Sequence, residues 1–153
     1  MSLTLRRAAQ SDCAALTDVC FRSKQANGYD DAFMEACRAE LTISPETLAQ
    51  KIFWMAEDDG VALGCAALTL VSAQQGEVSM FFVDPKVQGR RVGRMFWTTL
   101  FRLAHEQGLS TLELDADLTP VGFYEKQGFV EIGTAASASI SGRLLPRMQL
   151  NLR

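Results

Sequence analysis

Histidine is almost missing from this chain of 153 residues: there is only His105. It falls late in a helical stretch, which suits a surface or rim position better than catalysis. The four cysteines, Cys13, Cys20, Cys37 and Cys65, form no C-x-x-C pair. Neither a metal site nor a disulfide framework is indicated, and reduced structural thiols are expected. An excess of positive charge is also missing, the formal net charge being -3; a general nucleic-acid binder would need basic residues to neutralise phosphates. No run of about 18 apolar residues occurs, and Met1-Ser2-Leu3-Thr4-Leu5-Arg6-Arg7 lacks the order of a signal peptide. No membrane span and a cytoplasmic location are therefore expected. Nor is there an internal repeat or linker. With 48% hydrophobic and 22% charged residues, the chain has material for one core, so a single domain over 1–153 is expected.

Periodicity orders what remains. Leu3–Arg6 alternates as a strand, and Ser11 or Asp12 can cap a helix carrying Ala15, Leu16, Val19 and Cys20. Asp30 or Asp31 starts a second helix with Phe33, Ala36, Cys37 and Leu41 on one face. Ser44-Pro45-Glu46 starts another, with proline at the first helical position. Ile52–Glu57, a turn at Asp58-Asp59-Gly60, Val61–Val71 and Glu77–Val83 read as an antiparallel meander. Val92, Met95, Phe96, Thr99, Leu100, Leu103 and Ala104 follow a helical period closed by Gly108. Trp97 and Phe101 lie off that stripe and predict a second covered face. Thr111–Ala116 returns as a strand parallel to 77–83 through a right-handed crossover. Thr119-Pro120 begins a short helix, Val121–Lys126, and Phe129–Ile132 and Met148–Leu152 are strands. Thr134–Ser139, rich in small residues, reads as a loop, and Gly142 and Pro146 as turns.

The stretch from Val83 to Arg94 joins a strand to a helix through a basic, glycine-containing loop. Unpaired N–H groups and the dipole at a helix start favour anions, so the segment is either an anion site or a solvated basic turn. Val83-Asp84-Pro85 and Gln88-Gly89-Arg90-Arg91-Val92-Gly93 resemble the first signature of the GNAT superfamily of acyl-CoA-dependent N-acyltransferases. Gly122-Phe123-Tyr124-Glu125-Lys126-Gln127-Gly128-Phe129 resembles its second, FYEKxGF. The resemblance covers nearly the whole chain. It implies an α/β GNAT fold: one mixed, mostly antiparallel sheet flanked by helices, with a parallel central strand pair splayed to hold acetyl-CoA.

The resemblance further implies transfer of an acetyl group from acetyl-CoA to a primary amine of a small molecule or peptide, without a metal. Phe81, Phe82, Val83, Gln88, Gly89, Arg90, Arg91, Val92, Gly93, Arg94 and Lys126 would bind the cofactor, with Gly89 and Gly93 letting the backbone approach its pyrophosphate. Arg91 stands where the family prefers glycine. Either helical φ/ψ suffices there and the guanidinium swings outward, which is the favoured reading, or cofactor affinity falls. Tyr124 resembles the general acid for the departing thiolate. Glu77, eleven residues before Gln88, resembles the base, directly or through water; the ordinary alternative is a solvated strand-end carboxylate. A main-chain N–H near Val83 would meet the oxyanion. Tyr29, Asp115 and Asp117 are candidate substrate contacts. Arg143 would face an acidic substrate group or simply a neighbouring carboxylate, the latter being favoured. A homodimer is a family-level expectation. The alternatives are a non-catalytic acyl-CoA sensor or partner-binding domain on the same fold, and a nucleic-acid module using Lys86, Arg90, Arg91 and Arg94.

Overall fold

The computed structural model describes residues 2–87, 91–117 and 121–152. Among these described residues seven strands form one sheet: β1 (Leu3–Arg7), β2 (Ile52–Asp58), β3 (Val61–Leu70), β4 (Gln75–Val83), β5 (Thr111–Asp115), β6 (Val130–Ala136) and β7 (Leu144–Asn151). Their spatial order is β1-β2-β3-β4-β5-β7-β6. Only β4 and β5 run parallel; every other neighbouring pair is antiparallel. The expected single mixed sheet with a parallel central pair is what the chain forms. Among the described residues no helix is long and apolar enough to cross a membrane.

Alternation along β3 divides the core between the two faces of the sheet. Leu63, Ala66 and Leu68 join the cluster under α5 (Val92–Glu106) with Phe96, Trp97 and Leu100. Ala62, Cys65 and Ala67 join Leu16, Val19 and Cys20 of α1 (Cys13–Gln25). A strand buried on both faces is central by necessity. The second covered face expected for α5 is real: Trp97 stacks on Phe81 at 4.9 Å and on Phe101 at 5.4 Å.

Local signals were obeyed where the chain itself makes the structure. Asp59 and Gly60 take φ values of 48° and 81°, as a tight hairpin needs. Ser44 caps α4 (Pro45–Gln50) by accepting from Thr47 N–H, and Gly108 takes φ +71° just past α5. Three expectations are corrected. The helix begun at Asp30 breaks at Cys37 into α2 (Asp31–Ala36) and α3 (Arg38–Leu41). Thr134–Ala136 belongs to β6 rather than a loop, because β7 supplies ladder partners as far as Ala136, opposite Leu144. Pro146 makes no turn; it lies inside β7. Its carbonyl accepts from Ala116 N–H, so its missing donor faces the side where β5 has ended, a place where proline is tolerated. The expected helix start at Thr119-Pro120 lies outside the described residues; α6 spans Val121–Lys126.

Candidate active site

The site begins with a defect in β4. Met80 and Phe81 together oppose Ala66 alone, since Cys65 pairs with Phe82 and Ala67 with Ser79. Met80 takes a left-handed φ of 51°, and its carbonyl accepts from the Cys65 thiol at 3.2 Å. Such a bulge bends the strand and increases its twist. Pairing of β4 with β5 stops at Glu77 and Glu113. Beyond it the two strands flank a cavity of about 1050 Å3, lined by Val78 to Val83 from one side and Leu114, Asp115 and Asp117 from the other.

At one end of the cavity stand Arg91, Val92, Gly93 and Arg94 of the α5 start, with Lys126 of α6. Gln88, Gly89 and Arg90 lie outside the described residues. The chain enters this loop through Asp84, whose side chain is 1% exposed and bonded to Arg22 at 2.8 Å. Its other oxygen accepts Lys86 N–H, and its backbone N–H donates to Leu63 O. Burial pushes the Asp84 carboxyl upward, but the Arg22 hydrogen bond and the Lys86 N–H outweigh it and hold it below the usual range. Asp84, rather than Pro85 alone, sets the turn.

Arg91 occupies the N-cap of α5 with φ 69° and ψ 10° and provides no side-chain cap. The favoured expectation of helical dihedrals at Arg91 is thus wrong: the backbone is left-handed, the conformation that explains a preference for glycine. A Cβ at Gly93 would sit 3.1 Å from the Phe123 ring, so its bareness serves the packing of α6 against α5.

Tyr124 lies midway. It is buried and edge-on to Phe81, Trp97 and Phe129, with centroids 6.5, 6.1 and 6.2 Å away, and it lines the cavity. Burial first and the nearby Asp117 charge second push its phenol well above the usual range.

The other end is polar. Asp117 accepts from Tyr29 Oη at 3.0 Å, from Arg143 Nη2 at 2.6 Å and from Lys24 Nζ at 3.4 Å. Burial would raise its carboxyl, yet Arg143, Lys24 and Tyr29 together hold it low. Arg143 faces a neighbouring carboxylate, as favoured from the sequence. Lys24, 6% exposed, reaches Glu40 at 3.4 Å as well. Glu77 pairs across β4–β5 with Glu113, and Asp115 pairs across β5–β7 with Arg147. One guanidinium, that of Arg147, ties Glu77 at 2.9 Å, Asp115 at 2.9 Å and Glu113 at 3.1 Å. Glu77 is 36% exposed, lines the cavity and is held by the ion pair with Arg147. Lys51, at the junction of α4 and β2, donates to Thr69 Oγ1 at 3.3 Å and Ser79 Oγ at 3.1 Å. Lys51, Glu40 and Arg147 carry no local sequence signal; strand register and long-range packing bring them here.

Comparison with known proteins agrees with this geometry. Residues 22–151 match the acetyltransferase (GNAT) domain family. The chain is 31% identical over 136 residues, 87% of each chain, to the peptidyl-lysine N-acetyltransferase YjaB of Salmonella typhimurium. Among solved structures, the PaiA N-acetyltransferase of Thermoplasma acidophilum in complex with coenzyme A superposes with a TM-score of 0.82 at 17% identity, covering 99% of both chains. The structure of yncA from Salmonella typhimurium with its cofactor acetyl-CoA gives 0.70 at 21% identity, covering all of this chain and 95% of that one. At those identities the structural likeness is one of fold. The domain match and the identity to the Salmonella enzyme together place this protein in the GNAT family, as an acetyltransferase.

Proposed function

We propose that the protein moves an acetyl group from acetyl-CoA to a primary amine of a small molecule or peptide by direct attack, in the cytoplasm. The observation that carries this reading is one continuous cavity that joins the basic start of α5, Tyr124 and the polar sheet face bearing Glu77. Coenzyme A fits the residues present. The splayed strands leave room for an extended arm, and Arg91, Arg94 and Lys126 offer cations for its phosphates beside a helix start with no side-chain cap. The relatives solved with coenzyme A and acetyl-CoA support this choice.

In this reading the neutral amine forms a bond to the thioester carbonyl carbon, and the carbon–sulfur bond breaks. Glu77, directly or through one water, takes the proton from the ammonium. Main-chain N–H groups at the Met80–Phe81 bulge stabilise the oxyanion. Tyr124 donates its proton to the departing thiolate. Its raised pKa keeps the phenol protonated throughout the neutral range, as an acid requires. Arg147 holds Glu77 in place; Asp117, saturated by three donors, organises the acceptor end.

Thiol release with an amine panel tests the reading. Tyr124→Phe should lower kcat by about 100-fold while leaving the affinity for CoA near its original value. Binding of CoA without turnover of any amine, unaltered in that variant, would instead establish a non-catalytic acyl-CoA sensor.

A further inference from the structure

Among the described residues, the cations around the acceptor end are matched by carboxylates with one exception. Arg147 serves Glu77, Glu113 and Asp115; Arg143 serves Asp117; Lys24 serves Asp117 and Glu40. Lys51 lines the same cavity, yet its ammonium touches only the hydroxyls of Thr69 and Ser79. An ammonium has three donors and prefers ionised acceptors, which form the shorter and stronger hydrogen bonds. Two neutral contacts at 3.3 and 3.1 Å leave one donor over. They also fix the direction of a flexible side chain before any ligand arrives, which reduces the entropy lost on binding.

Register gives the position of that charge. Thr69 pairs with Glu77, and Ser79 pairs with Ala67, two positions along the same strands. Paired residues share a face of the sheet, with Cβ atoms roughly 5 Å apart, and alternate residues of one strand share it too. Lys51 is therefore seated on the face that carries Glu77, beside it along β4. The two groups do not pair, because Glu77 turns to Arg147. A carboxylate that receives an amine and an ammonium with no anion stand next to each other in one cavity.

We infer that the acceptor is a small amine bearing a carboxylate close to its nitrogen, of the α-amino-acid class, and that Lys51, seated on Thr69 and Ser79 beside Glu77, binds that carboxylate. The inference rests on the acetyl-transfer reading above and narrows its acceptor. A lysine side chain within a peptide has no carboxylate next to its amine and leaves the ammonium unmatched.

The test compares free amino acids, their carboxamides and a lysine peptide blocked at both termini, in the presence of acetyl-CoA. The wild type should favour free acids over carboxamides in kcat/KM by about tenfold to a hundredfold, mostly through KM. Lys51→Gln should bring that ratio close to one, and Lys51→Arg should restore much of it. A Lys51 that merely tethered β3 to β4 would alter stability without altering the ratio. Equal or faster turnover of carboxamides or of the blocked peptide, with a ratio indifferent to Lys51→Gln, overturns the inference while leaving acetyl transfer intact. If no acceptor turns over, thermal stabilisation of the CoA-bound protein decides the matter: stabilisation by free acids but not carboxamides supports the carboxylate site, and none by either overturns it. Failure to bind CoA at all overturns the reading beneath it.

Discussion

Three described residues other than glycine hold left-handed dihedrals, Asp59 in the hairpin turn and, at the candidate site, Met80 and Arg91. In Met80 the conformation belongs to the bulge that opens the sheet. In Arg91 it begins α5, and the side chain is the departure from the family pattern. Such dihedrals cost an L-residue about 1–2 kcal/mol, partly offset here because glycine would also free the unfolded chain. Arg91→Gly should therefore raise Tm by roughly 2–4 °C while weakening the affinity for CoA through loss of a guanidinium at the phosphate end. Calorimetry and a CoA titration check both halves. A lower Tm would show that the left-handed residue is unstrained, and tighter CoA binding that the arginine obstructs its site.

Among the elements, the close approach of β3 to the end of β4 depends on Gly64. A Cβ there would lie 2.7 Å from the Phe82 carbonyl oxygen and 3.1 Å from the Phe96 ring. Gly64→Ala should cost about 1–3 kcal/mol by forcing the strands and α5 apart, read as a lower urea midpoint; an unshifted midpoint would mean the strands yield freely. Elements of this kind were legible in the sequence wherever their cause is local. Ser44-Pro45 announces α4, Asp59-Gly60 the hairpin, and the period from Val92 to Ala104 announces α5. Those the sequence misread are set by partners far along the chain. β6 extends through Thr134–Ala136 because β7 pairs with it, and Pro146 is accepted in β7 because β5 stops beside it. The site divides the same way. Tyr124 and the start of α5 are visible as motifs, whereas Arg147 and Lys51 reach Glu77 and Ser79 through strand register, which no short stretch encodes. Asp84 was visible but assigned no task, since its partner Arg22 lies in α1, with three helices and three strands between them in sequence.

Across the whole molecule, Asp117 joins segments that would otherwise be independent: Lys24 of α1, Tyr29 ahead of α2, and Arg143 ahead of β7. Its carboxyl is held below its unfolded value near 3.9. The stability this supplies is present in full above that value and is lost as pH falls through the lower folded one. Urea unfolding measured from neutrality downward should show the wild type losing stability below about pH 4. Asp117→Asn should be less stable at neutrality and show a shallower acid decline. Parallel curves for the two proteins would place the acid sensitivity elsewhere.

The spatial order of the strands has a consequence in time. The meander β1 to β4 is built largely from near neighbours, but β7, which follows β6 in sequence, lies between β5 and β6. During synthesis the first half of the sheet has its partners early, while β5 and β6 wait with edges unsatisfied until residues 144–151 emerge. Arg147 arrives on that same strand, bringing the guanidinium that holds Glu77. A nascent chain therefore cannot complete the charged face around Glu77 before β7 is inserted between β5 and β6.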